Sequence, residues 1–206
     1  MFETGAIELI DGLDGLLQQA AATHDHACPR QVLGVRMGML AGRLFGLDLP
    51  QKDKRVFAFV ETDGCFTDGV AVASGCYLGR RTMRLVDYGK VAVTFVDTLT
   101  ERAVRVWPNP TARDRAWQYA PDEQDGWHAQ FEGYKQMPTC ELLLFEPVHL
   151  LVSIQEIVSK PGLRVECARC GEEIMNAREV LHEGAMLCKH CAGQGGYYSI
   201  DTEGGQ

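Results

Sequence analysis

The strongest constraint in this chain is a C-x2-C-x17-C-x2-C array near its end, formed by Cys167, Cys170, Cys188 and Cys191. Two cysteine pairs at this spacing can close one tetrahedral centre, and four sulfurs match the softness and geometry of Zn2+. The segment that carries them is too short to bury enough apolar surface to fold alone. Metal binding therefore has to supply its folding free energy. The array predicts a small four-cysteine zinc unit over residues 161–195, with the first pair on a knuckle and the second at the start of a short helix. His182 and His190 are expected beside the metal or in solvent, because four thiolates already complete the shell. From Arg164 to Lys189 the bases Arg164, Arg169, Arg178 and Lys189 face the acids Glu166, Glu172, Glu173, Glu179 and Glu183. That balance does not suit a finger that reads DNA, so the unit is expected to brace a dimer or a partner.

The rest of the 206-residue chain is long enough for one further domain, expected over residues 1–160, with a flexible tail over 196–206. A net charge of −8 argues against nucleic acid as a partner. No apolar run reaches the length of a membrane span, and the first residues carry acids where a signal peptide carries bases. The chain therefore reads as cytoplasmic, where cysteines serve as ligands or reactive thiols more often than as disulfides.

Apolar positions at helical spacing over residues 6–22 (Ile7, Ile10, Leu13, Leu17, Ala20) predict a helix, and so do those from Pro29 to about Leu47. In the second helix Gly34, Gly38, Gly42 and Gly46 recur on one face. That face predicts a very close approach by another element, a subunit contact, or a flat ligand lying on the helix. Strands are predicted at 55–62, 85–87, 90–98, 103–107 and 148–158, with interrupted helix over 111–137. Residues 141–145 are ambiguous by period. Strands and helices mix without regular βα alternation, which makes the class α+β.

The candidate chemistry begins at His24-Asp25-His26-Ala27-Cys28-Pro29. Proline is favoured at the first helical position, which makes Cys28 the N-cap, facing the positive end of the helix dipole. A thiol so placed is expected to lose its proton more easily. His24 and His26 flank it with nitrogens that coordinate metals well. Cys65 stands just beyond a strand end, bracketed by Asp63 and Asp68, which can be turn residues or part of a site. Cys76 precedes another glycine break and reads as a buried thiol or as a neighbour of the site. Lys90 is a solvated lysine or a positive charge near the site.

The runs HDHACPRQVLGVRMG, VETDGCFTDGV, SGCYLG and DYGK, followed by a cysteine-rich zinc module, resemble the FmdE family of formylmethanofuran dehydrogenase. The resemblance covers nearly the whole chain. It implies a thioredoxin-like mixed β-sheet flanked by helices, followed by a treble-clef zinc finger, and it makes a homodimer plausible. It also implies a metal-capable pocket made from His24, His26, Cys28 and Cys65, with Asp63, Asp68 and Cys76 close by. Arg30 departs from the family pattern, which usually has glycine after Cys-Pro, and puts a bulky charge near the pocket mouth. The catalytic chemistry of that dehydrogenase lies in other subunits, which hold molybdenum or tungsten.

The leading expectation is a metal- or metallocofactor-binding accessory protein, with structural Zn2+ and a second metal or metallocofactor in the pocket. Its partners would be molybdenum or tungsten oxidoreductase subunits. A zinc-dependent enzyme using the same pocket, a thiol-transfer protein acting through Cys28 or Cys65, and a haem (tetrapyrrole) binder are the alternatives.

Overall fold

The computed structural model of the chain describes residues 12–22, 24, 26–158 and 162–198. Contacts divide the chain into two compact units, the first ending at Ile157 and the second starting at Val158.

In chain order the first unit runs α1 (Leu13–Ala21), α2 (Pro29–Phe45), β1 (Val56–Val60), α3 (Cys65–Ser74), β2 (Met83–Leu85), β3 (Val93–Asp97) and β4 (Ala103–Pro108). It continues through α4 (Ala112–Tyr119), α5 (Gly126–Gln136), α6 (Thr139–Leu142), β5 (Leu143–Val148) and α7 (Ile154–Ile157). The sheet order is β2-β1-β3-β4-β5, with β1 and β2 parallel and every other pair antiparallel. The class is α+β, with a mixed sheet and helices, as expected.

The centre of this unit is α2. It is apolar on nearly all sides and nearly all of it is buried, which is the pattern of a helix enclosed by other elements. It touches α1, α3 and α5, and lies back on β3 and β4. Its glycines decide how close α3 comes. A Cβ on Gly34 would stand 2.2 Å from Phe66 O, and one on Gly38 would stand 2.6 Å from Ala73 Cβ. From the other side, a Cβ on Gly69 of α3 would stand 2.4 Å from Gln31 O. Close helix packing therefore uses the glycine face at Gly34 and Gly38, where no room is left for a flat ligand. Gly46 has a different job: at φ 68 it ends α2 in the left-handed conformation.

Arg36 is the largest side chain in this core and is only 1% exposed. Its guanidinium collects oxygens at the C-terminal end of α5. Nη1 donates to Tyr134 O at 2.9 Å and Lys135 O at 3.2 Å, and Nη2 to Met137 O at 3.0 Å and Thr139 Oγ1 at 2.9 Å. The last carbonyls of a helix lack intrahelical partners and form the negative end of its dipole. One fixed cation answers both needs. Burial lowers its pKa to about 10, which leaves it charged at neutral pH. A second fork closes the sheet edge, where Arg55 Nε and Nη2 donate to the carboxylate of buried Asp97 at 2.8 and 3.0 Å.

Three local expectations change. The strand expected over 148–158 lies earlier, as β5, and Ile154–Ile157 is a single helical turn. Ser153 starts that turn, its hydroxyl accepting from Glu156 N at 3.3 Å. The Gly-rich stretch after β1 is not an extended turn: Gly64, at φ 79, redirects the chain and α3 begins at once with Cys65. Phe66, Val70 and Ala73 then bury one helical face. Ile7, Ile10 and the tail from residue 199 lie outside the described residues.

The second unit consists of two antiparallel hairpins, β6 (Arg164–Glu166) with β7 (Glu173–Met175), and β8 (Val180–His182) with β9 (Ala185–Leu187). After Cys188 the expected short helix is a series of hydrogen-bonded turns, including Ala192 N to Cys188 O and Gln194 N to Lys189 O. Gly193 and Gly195, at φ 72 and 102, keep these turns from extending into a helix.

Candidate functional site

Because α2 and α3 lie backbone to backbone, the residues at their N-terminal ends come together. Cys28 is the N-cap of α2, just before Pro29, as expected. Gln31 locks that end: its Oε1 accepts from Cys28 N at 2.8 Å and its Nε2 donates to Ala20 O at 3.0 Å. Cys65 is the first residue of α3. Both thiols are free and both face a cavity of about 720 Å³. Leu33, Trp107, Trp127, Tyr134, Arg30, Lys90, Arg105 and Arg113 also line this cavity.

The other named residues stand elsewhere. His24 Nε2 lies 2.7 Å from Asp68 Oδ2, which ties the turn before α2 to the first turn of α3. The His26 ring is 6.0 Å from the Trp127 ring, centroid to centroid. Asp63 is exposed in the turn before α3. None of these four lines the cavity. Cys76 is buried in the core, where its thiol donates to Val56 O at 3.2 Å and burial pushes its pKa up to about 11. The helix end does not activate Cys28 as expected. Burial raises its pKa, the Gln31 amide pulls the other way, and the neighbouring Cys65 raises it further.

Sequence reading missed the far wall. Arg105 Nε and Nη2 donate to the Glu61 carboxylate at 2.7 and 2.8 Å, and its guanidinium lies 5.1 Å from the centre of the Trp107 ring. A signal for this wall was present: in AVRVW, Arg105 and Trp107 alternate with buried Val104 and Val106, so both point away from the core. Trp127 is placed by the N-cap of α5, where Asp125 accepts from Trp127 N and His128 N at 2.9 and 3.0 Å. That aspartate also holds His128 Nδ1 at 2.6 Å, which raises the histidine pKa.

In the second unit Cys167, Cys170, Cys188 and Cys191 place their sulfurs within 4.8 Å of one another. Among the described residues no other group of three or more histidines, cysteines and carboxylates comes this close. A tetrahedral zinc–thiolate centre needs sulfurs about 3.8 Å apart, so the donor set fits. Amides support it. The Cys188 N–H points at Cys167 Sγ and the Cys191 N–H at Cys188 Sγ, each at 3.3 Å. Amides of Cys170 and Cys188 bring the Cys167 thiol down to about 6, whereas desolvation and the neighbouring Cys188 push Cys191 up to about 12. Four sulfurs this close cannot all ionise unaided, and a bound divalent cation removes that conflict. His190 is not a ligand here; its ring stacks on Tyr198 at 4.4 Å.

Residues 23–143 match the family described as FmdE, molybdenum formylmethanofuran dehydrogenase operon. The chain belongs to the FmdE family. Every residue that lines the cavity falls inside the FmdE match. Residues 161–194 match the prokaryotic dksA/traR C4-type zinc finger. A relative from Archaeoglobus fulgidus, named as a probable S-adenosyl-L-methionine-binding protein, is 29% identical over 215 residues. The match covers 93% of this chain and 56% of that protein, so the chain spans a little over half of its relative. The crystal structure of an FmdE-like protein of tungsten formylmethanofuran dehydrogenase, from Syntrophus aciditrophicus, shares the fold. Its TM-score is 0.58 at 20% identity, covering 90% of this chain and 95% of that one. The zinc-finger match and the four gathered sulfurs together make this FmdE-family chain a zinc-binding protein.

Proposed function

We propose that this chain is a metallocofactor-binding accessory protein whose cavity holds its ligand through Cys28 and Cys65. The observation that carries this reading is the meeting of two free thiols, from two helix N-termini, in the wall of one cavity. Paired thiolates are soft donors that suit zinc, copper(I) or the metal of a larger complex. His24 adds a third donor. With Nε2 on Asp68 it has the carboxylate-held arrangement usual for metal-binding imidazoles, and its Nδ1 is left for a metal. His26, on the same short stretch, is the fourth donor of the proposed set, with Asp63 at its edge. The two functions fall to separate domains, residues 1–160 for the cofactor and 161–195 for a structural zinc finger that braces a homodimer. The family's association with a dehydrogenase operon favours a molybdenum or tungsten oxidoreductase as partner, in the cytoplasm. S-adenosylmethionine is not assigned to the cavity, because its sulfonium cation would meet arginine and lysine side chains.

The test is metal content per chain, with an absorption spectrum, on protein purified without chelator or His-tag. The expected result is about two metal ions, falling to about one in a Cys28→Ser Cys65→Ser variant that keeps its zinc finger. A single ion in the unaltered protein sinks the metal reading. An intense haem absorption band would replace it with the tetrapyrrole.

A further inference from the structure

The chain carries a net charge of −8, yet one wall of its cavity runs the other way. Arg30, Lys90, Arg105 and Arg113 line it, and among the described residues no carboxylate does. Glu61 neutralises Arg105. No carboxylate among the described residues forms an ion pair with Arg30, Lys90 or Arg113. Cations gathered round one opening focus a field that attracts an anion, and arginine forks match carboxylate and phosphate. The remaining wall is apolar and aromatic. Trp107 lies under the Arg105 guanidinium, and Trp127 stacks on Phe131 at 5.6 Å and 11° while staying 41% exposed. A bare metal ion uses neither this aromatic surface nor 720 Å³ of space, a volume inside the range of about 300–1,000 Å³ for small-molecule sites.

We infer that the cavity takes a planar organic anion, a flat heterocycle bearing phosphate or carboxylate. The ring lies against Trp107 and Trp127, and the anionic group is held by Arg30, Lys90 and Arg113. This inference rests on the reading of the cavity as the ligand site, and it names the organic part of that ligand. It also gives Arg30 a role, since its side chain is exposed and yet borders the cavity.

The experiment uses the full-length, zinc-loaded chain and follows the fluorescence anisotropy of flavin mononucleotide, which joins a flat ring to a phosphate. Riboflavin, the same ring without phosphate, is the neutral control. Folate, a flat ring with carboxylates, and inorganic phosphate are added as competitors. Flavin mononucleotide should bind at least about tenfold more tightly than riboflavin and inorganic phosphate, and folate competition separates carboxylate from phosphate preference. An Arg30→Glu Arg113→Glu variant should lose about tenfold or more, and Lys90→Glu, an independent exposed change, should lose in the same direction. In Cys28→Ser Cys65→Ser the pocket metal should be lost while flavin mononucleotide binding stays within about twofold. Failure of both flavin mononucleotide and folate to bind overturns the inference. So does riboflavin binding as tightly as its phosphate, or unchanged binding in the charge variants. Binding of the organic anion with no second metal in any sample would overturn the metal reading alone.

Discussion

The two units reach a fixed structure by opposite routes. The first encloses α2 among three other helices and a five-stranded sheet, and its buried cluster extends from Leu13 to Leu143. The second buries only Cys167, Ile174 and Leu187 among its described residues. Each unit gathers polar atoms round a cation, but the cations differ in kind. Arg36 is part of the chain and collects its oxygens in every folded molecule. The zinc comes from outside, so the stability of the second unit follows the free metal concentration. A covalently attached cation needs a large core to bury it, whereas four thiolates and a borrowed cation can replace a core.

The largest effect should come from breaking the borrowed staple. A strong chelator should abolish slow amide exchange at Cys188 and Cys191, a loss on the order of 10 kcal/mol of metal-linked folding. The core of the first unit should stay protected, because no metal holds it. Cys188→Ser should reproduce the result without chelator. Persistent protection in the second unit after chelation would show that apolar packing is enough for it.

Next in size is the built-in staple. Arg36→Met keeps the length of the side chain and removes the guanidinium, leaving the oxygens at the end of α5 unsatisfied. The expected cost is roughly 3 kcal/mol in urea unfolding of the first unit. Arg36→Lys should cost less, since a charge remains at the helix terminus although the fork is lost.

Acid sharpens the contrast by the smallest margin. The Arg55 fork, which outweighs desolvation, holds the Asp97 carboxyl at about 2, below its ordinary 3.8. A depressed carboxyl pKa stabilises the folded state fully above the unfolded value, and this contribution is lost as pH falls through the folded value. The first unit should therefore lose roughly 2 kcal/mol between about pH 4 and pH 2. Asp97→Asn should remove that step from the pH profile. The second unit should open first on acidification, because its thiolates release zinc as they take up protons.

Legibility in the sequence followed how local the determining physics is. Helix α2 with its Cys28 cap and Pro29 start, the strands around Val56–Val60 and Val93–Asp97, and the four-cysteine array could all be read within a few residues of chain. Residues 148–158 misled because an apolar run has no visible period, and Ser153 starts a helical turn there instead. The candidate site was half legible. Cys28 and Cys65 announce themselves as thiols beside a proline and a glycine, yet they are 37 positions apart in the numbering and no sequence rule makes them neighbours. Cys76 carries the same chemistry and lies in the core, because Val56 O accepts its thiol and the apolar cluster closes over it.

By itself the sequence determined the α+β class, the zinc module, the close-packed glycine face and the ends of α2. Those features depend on spacing, side-chain chemistry and backbone freedom, all of which are local. Only the tertiary structure decided that α3 starts beside α2, and that Arg36 seals α5 about a hundred residues away. It alone gathered Arg30, Lys90, Arg105, Arg113 and two tryptophans round one cavity in an acidic protein. Such groupings depend on which backbones can approach each other, and here that is set at Gly34 and Gly69, where any side chain would strike the opposing helix.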